Sequence, residues 1–177
     1  MAAVGPAQAG VQPRQTQFEA LIARHRGIVF KVANVYGRDP EDRRDLAQEI
    51  YAQSWRAFPS YDPARSFSTW MYRVALNVAI SYRRSAAYRE RHVSTVDDAT
   101  LAAVPDPATT ESDERMRELY RVIEQLDDLN RALVLLYLEG RDYREIAEVL
   151  GITETNVATK LNRLKARMRQ DVADRHA

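Results

Sequence analysis

The feature that most constrains this chain is the apolar pattern after Ser66. Phe67, Trp70, Met71, Val74, Ala75, Val78, Ala79 and Tyr82 fall at offsets 0, 3, 4, 7, 8, 11, 12 and 15. That spacing places them on one face of a 3.6-residue period and predicts an amphipathic helix. Ser66 or Ser68 is suited to cap it, and it is expected to end around Arg83-Arg84. No strand-like alternation of any length occurs in the 177 residues, so an all-α protein is expected.

Other stretches repeat the pattern. Phe18, Ile22, Val29, Val32 and Tyr36 share a helical face that Gly37 and Asp39-Pro40 terminate. Before it, residues 1–17 are rich in Gly, Pro, Gln and Ala without periodicity and are read as a disordered tail. A second helix runs from about Glu41 to Ala57, acidic at its start as a helix N-terminus favours, with Leu46, Ile50, Tyr51 and Ser54 inward. Pro59 stops it, and residues 59–63 form a turn-rich loop.

Composition then shifts. Residues 93–113 hold five acids, two prolines and no Lys or Arg. A flexible acidic linker over 91–113 therefore separates a three-helix unit at 18–90 from a second helical unit at 114–177. In the second unit, Met116 to Leu126, Leu129 to Tyr137, Tyr143 to Leu150 and a segment from Thr153 each carry helical spacing. Asp142 with Glu145 is capping-box-like, and Gly140 and Gly151 break the pattern.

Several function classes are excluded by what the chain lacks. It has no cysteine, so a disulfide framework, a thiolate zinc site and a cysteine nucleophile are ruled out. Its histidines, His25, His92 and His176, are far apart, so no metal site is expected. No paired carboxylates or glycine-rich phosphate loop suggest an enzyme or a cofactor. No apolar run approaches a membrane span, and the first residues do not read as a signal peptide, so a cytoplasmic protein without membrane contact is expected. Net charge is +1, from 26 Lys+Arg against 25 Asp+Glu, so only its distribution is informative.

Two segments point to DNA. Residues 142–165 set two short helices around Gly151, with Ala147 before it and Val157 after it. This is the helix-turn-helix arrangement, whose second helix enters the major groove. That helix carries Lys160, Arg163, Lys165, Arg167 and Arg169 against Glu154, and offers Thr155, Asn156 and Thr159 at its N-terminal end. The third helix of the first unit and its preceding loop interleave Arg65, Arg73, Arg83 and Arg84 with Tyr61, Phe67, Trp70 and Tyr72. Cations among aromatics suit single-stranded DNA. Phe67 and Trp70 sit on the apolar stripe and read as core. Tyr72, Arg73 and Asn77 point off it, and Tyr61 and Arg65 lie in the loop. Asp45, Leu46, Gln48 and Glu49 read by themselves as a solvated helix face. On residues alone, a self-sufficient helix-turn-helix regulator with residues 18–90 as a sensing or dimerisation domain remains the rival.

The order of parts resembles a known family. DRRDLAQEIYAQSWRAF (42–58) looks like the polymerase-binding helix of bacterial sigma factors. SFSTWMYRVALNVAISYRR (66–84) is similar to their promoter-melting helix, and residues 126–169 to their C-terminal −35-binding domain. The two-domain length matches the extracytoplasmic-function (ECF) type of the sigma-70 family. The resemblance implies an alternative sigma factor: it binds bacterial core RNA polymerase and directs promoter recognition, DNA melting and transcription initiation, with no chemistry of its own.

It further implies that Asp45, Leu46, Gln48 and Glu49 dock on the β′ clamp helices, and that the second unit meets the β flap. Tyr61, Asp62, Arg65, Ser66 and Phe67 become candidates for a pocket that reads a flipped −10 base. Tyr72, Arg73, Asn77, Arg83 and Arg84 join them as −10 contacts. Thr155, Asn156, Thr159, Lys160, Arg163 and Arg167 become −35 contacts. An anti-sigma partner is expected, and the linker would thread toward the RNA exit path. Ala158 stands where many relatives carry Lys or Arg, and Arg43-Arg44 interrupts the acidic run before Asp45.

Overall fold

A computed structural model of the chain describes residues 11–92 and 119–175. Among them every element is helical. In chain order these are α1 (Val11–Tyr36), α2 (Pro40–Ala57), a 3-10 turn (Phe58–Ser60), α3 (Phe67–His92), a short α4 over residues 119–124, α5 (Asp128–Leu138), α6 (Tyr143–Leu150) and α7 (Glu154–Arg175). The chain divides into two compact units between Ala79 and Ile80, a point inside α3. Of the linker expected over 91–113, residues 91 and 92 are instead the end of α3, and the remainder, with residues 1–10 of the expected tail, lies outside the described residues.

Two helix ends differ from the sequence expectation. The tail expected to reach residue 17 is already helix from Val11. Pro13 sits in the first turn, where a missing N–H costs nothing, and Gln15 bonds Glu19 one turn on (2.9 Å). At the other end, α3 continues past Arg84 to His92. The residues following Arg84 include two alanines and two arginines, good helix formers with no breaker among them.

In the first unit α1 and α2 form a helical hairpin. Asp39 caps α2, its Oδ1 accepting from Glu41 N (2.9 Å) and Asp42 N (2.8 Å), and Pro40 occupies the first turn. The connection is tight at Gly37. A Cβ there would lie 2.6 Å from Arg43 Cγ and 2.9 Å from the Ala33 carbonyl oxygen, so only glycine lets Arg43 cross that closely. Val29, Val32 and Tyr36 of α1 meet Leu46 and Ile50 of α2 in a core that also takes Met71, Ala75 and Leu76 of α3. Ser54 is fully buried but satisfied: its hydroxyl donates to Ile50 O (2.7 Å), with Met71 Sδ at 3.6 Å.

In the second unit, α5 contributes Ala132, Leu133 and Leu136, α6 Ile146 and Val149, and α7 Val157, Leu161 and Leu164. The α5–α6 and α6–α7 turns each close on a left-handed glycine. Gly140 has φ 71° and Gly151 φ 67°. Arg141 N bonds Leu136 O (3.1 Å) and Ile152 N bonds Ala147 O (3.2 Å), the long-range closures of Schellman-type ends. Asp142 and Glu145 form the expected capping box, and Glu145 also pairs with Arg141 at 3.2 Å.

Candidate nucleic-acid and polymerase-facing surfaces

The loop between the 3-10 turn and α3 is braced from within. Asp62 Oδ1 accepts from Ala64 N (2.9 Å), Arg65 N donates to Asp62 O (3.0 Å), and the Tyr61 hydroxyl donates to Arg65 O (2.9 Å). Ser66 caps α3: its Oγ stands 3.5 Å from Thr69 N, and it shares a 2.9 Å bond with Ser68 Oγ. Asp62 and Arg65 are both exposed, their charged groups 3.9 Å apart.

Behind this loop lies a continuous set of rings. Tyr61 stacks near Phe58 (5.8 Å, 17°), meets Phe67 edge-on (5.3 Å, 89°) and touches Trp70 (5.3 Å). Phe58 in turn meets Phe18 of α1 (5.1 Å), and Phe18 meets Trp55 of α2 (5.2 Å). His25 of α1 covers Phe67 at 5.1 Å. Three elements thus hold Tyr61 while leaving it half-exposed. Phe67 is buried (6% exposed); it backs the loop rather than reaching a ligand, in line with its place on the apolar stripe.

Along α3 the candidates separate. Arg73, Asn77 and Arg84 are exposed at offsets of 4 and 11, one line of the helix surface. Tyr72 is only 1% exposed, which corrects its reading as a surface contact. The buried arc is wider than the apolar stripe and includes Tyr72 and Leu76, because α3 is covered by both α1, through His25 and Phe67, and α2, through Ser54 and Met71. Arg83 is partly buried, and its Nη1 lies 3.2 Å from Asp128 Oδ1 in the first turn of α5. It is an ion-paired side chain and not an open cation on the Arg73 line.

On α2, Asp45, Gln48 and Glu49 are exposed, and Glu49 accepts from Gln53 (2.7 Å). Leu46 is fully buried. It belongs to the core beneath this face, as its helical spacing predicts, which corrects the docking role that the resemblance implies for it. Of the two arginines interrupting the acidic run, Arg43 turns back and its Nε donates to Gly37 O (3.3 Å), leaving Arg44 on the surface. Beside this face a cavity of about 290 Å³ opens between α1 and α2, lined by Phe30, Arg44, Ala47, Gln48 and Tyr51 among others. Phe30 is 53% exposed, a residue that sequence reasoning passed over. Its signal was an aromatic residue one position off the α1 stripe. The Tyr51 hydroxyl has its pKa raised above 10 by burial, partly opposed by the positive charge of Arg26.

In the second unit, the two helices of the helix-turn-helix are α6 and α7. Thr153 caps α7 by accepting from Asn156 N (3.2 Å), and Val157 is fully buried as its anchor. Thr155, Asn156, Thr159, Arg163 and Arg167 are exposed, while Lys160 and Ala158 are half-buried on the flanks. Lys165 does not join this face: its Nζ lies 4.0 Å from the centre of the Tyr137 ring on α5. Among the described residues no group of three or more His, Asp or Glu is placed to hold a metal ion, and no helix is long and apolar enough to cross a membrane.

Comparison with known proteins matches two segments of the chain. Residues 21–89 match the family model for sigma-70 region 2, and residues 116–168 the model for sigma-70 region 4. The chain is 30% identical over 165 residues to the ECF RNA polymerase sigma-E factor of Escherichia coli K12, covering 85% of this chain and 84% of that protein. It spans between 42% and 90% of the length of the curated relatives compared with it. Two solved structures share the fold. The structure of CnrH in complex with the cytosolic domain of CnrY gives a TM-score of 0.66 at 21% identity, covering 90% of both chains. The sigma factor RpoE of Bartonella quintana, in complex with the anti-sigma factor NepR, gives 0.65 at 14% identity, covering 88% of this chain and 94% of that one.

Proposed function

The chain belongs to the sigma-70 family as an ECF-type sigma factor, a class that directs promoter-specific transcription initiation by RNA polymerase, and we propose how its surfaces divide that work. The braced loop Tyr61–Ser66 takes a base from the opened −10 strand. Its ring backing holds Tyr61 before DNA arrives, so little ordering entropy remains to be lost on binding. Arg73, Asn77 and Arg84 continue the strand path along α3, where cations meet phosphates. Helix α7 lies in the major groove of the −35 element, with Thr155, Asn156 and Thr159 toward base edges and Arg163 and Arg167 toward phosphates.

Asp45, Gln48 and Glu49 of α2 dock on the β′ clamp helices, and the neighbouring cavity with Phe30 receives an apolar side chain of that partner. The second unit meets the β flap. Melting follows from differential affinity: the first unit binds the open strand more tightly than the duplex, and a ligand shifts an equilibrium only by such a difference. Joining two modest DNA contacts through one polymerase surface raises their effective concentration. The protein acts in the cytoplasm and catalyses nothing itself. An anti-sigma partner regulates it, a proposal supported by the solved complex of a similar fold with NepR.

The observation that carries this reading is the presence in one chain of a ring-backed, self-bonded loop and a capped helix-turn-helix. The test mixes the full chain with bacterial core RNA polymerase. Co-elution and initiation from genomic fragments that the core alone does not transcribe are expected. Failure to bind any compatible core, together with dimeric binding to palindromic DNA, would overturn it.

A further inference from the structure

The outward strip of α7 is not a strip of charge. Residues 155, 159, 162 and 166 lie opposite the buried Val157, Leu161 and Leu164, and they are Thr, Thr, Asn and Ala, all exposed. The cations stand beside them: Arg163 and Arg167 are exposed on one flank. Thr159 has already committed its proton, since its Oγ1 donates to Thr155 O at 2.9 Å. Thr153 spends its hydroxyl oxygen on the cap. Asn162 is the longest side chain of the strip, in the third turn of α7, with a small Ala166 next to it that lets DNA approach closely.

A carboxamide presents a donor and an acceptor in one plane. That pattern matches the N6 amino group and N7 of adenine in the major groove and fits no other base edge there as well. A neutral amide gains little from a phosphate when arginines flank it. We propose that Asn162 is a specificity-determining residue of the upstream duplex element, selecting adenine at one position. The inference rests on α7 being the duplex-reading helix.

The test uses holoenzyme reconstituted from the full chain and bacterial core polymerase. Templates carry a randomised upstream element, and transcripts are sequenced. The unaltered protein is expected to favour adenine at one position. Asn162→Ala is expected to lose that preference by about 5- to 100-fold while preferences at other positions stay unchanged. Asn162→Asp is isosteric but accepts only, so it is expected to shift the same position toward cytosine, whose N4 amino group donates. Arg163→Ala serves as the contrast and lowers output for all sequences alike. A uniform loss in Asn162→Ala, or an unchanged adenine preference, overturns the inference and leaves α7 as the reader. No preference at any upstream position in the unaltered protein overturns the role of α7, and the inference with it.

Discussion

Lys165 holds its ammonium 4.0 Å from the centre of the Tyr137 ring, tying the middle of α7 to the end of α5. A cation over a ring at a partly exposed site contributes about 0.5–1 kcal/mol. Lys165→Ala is therefore expected to lower stability by about that amount in thermal or denaturant unfolding. The salt dependence of holoenzyme binding to promoter duplex should stay as it was. Arg163→Ala should do the reverse: unfolding unchanged, and the slope against log salt reduced by about one phosphate contact. A reduced slope in Lys165→Ala would return that residue to the DNA face.

Neighbours on α2 are expected to part company. Leu46 is fully buried, so Leu46→Ala should cost about 2–5 kcal/mol in urea unfolding. Asp45→Ala and Gln48→Ala remove exposed groups, and their unfolding curves should overlay the parent within about 0.5 kcal/mol. If α2 is the polymerase-docking face, these two substitutions weaken co-elution with core polymerase.

Two glycines predict opposite signs. Gly37→Ala drives a Cβ to 2.9 Å from the Ala33 carbonyl oxygen, and backbone cannot step aside as a side chain can. A loss of about 1–3 kcal/mol is expected. Gly27 lies inside α1 with nothing within 4 Å of a Cβ, so Gly27→Ala should add about 0.5–1 kcal/mol. Melting temperatures of the two variants against the parent decide both.

The Tyr51 hydroxyl supplies a pH dependence. Its folded pKa is raised above 10, so above that value the folded chain keeps a proton that the unfolded chain releases. Stability contributed by the neutral phenol is present below pH 10 and falls as pH rises beyond it. Tyr51→Phe should unfold with a shallower alkaline decline, measured by denaturant titration across that range.

Most of the architecture was legible in the sequence because helical periodicity survives single-sequence reading. The capping box at Asp142 and Glu145, the left-handed Gly151 and the cap at Thr153 were all visible as local rules. Errors arose where tertiary packing decides. A single stripe on α3 left Tyr72 outside, whereas cover from two helices buries it. Leu46 carries a motif signature and a core position at once; its helical spacing placed it inward, and the structure keeps that reading over the docking role that the motif implied. Lys165 was counted with the basic face because its attraction to Tyr137 is set by a different helix. The α1 start at Val11 lacked an apolar stripe to announce it and rests on local features, Pro13 in the first turn and the Gln15–Glu19 bond.

The left-handed Gly151, closed by the Ile152–Ala147 bond, has a consequence for how the exposed face of α7 can change over generations. That closure fixes the phase of α7 against α6. Adding or deleting one residue in the turn would rotate the outward strip by about 100°, turning Thr159 and Asn162 aside and Val157 out of its socket. Length variation at this turn is thus a dead end. If α7 reads the promoter as proposed, new preferences must arise by exchanging side chains on an unchanging frame, one position at a time.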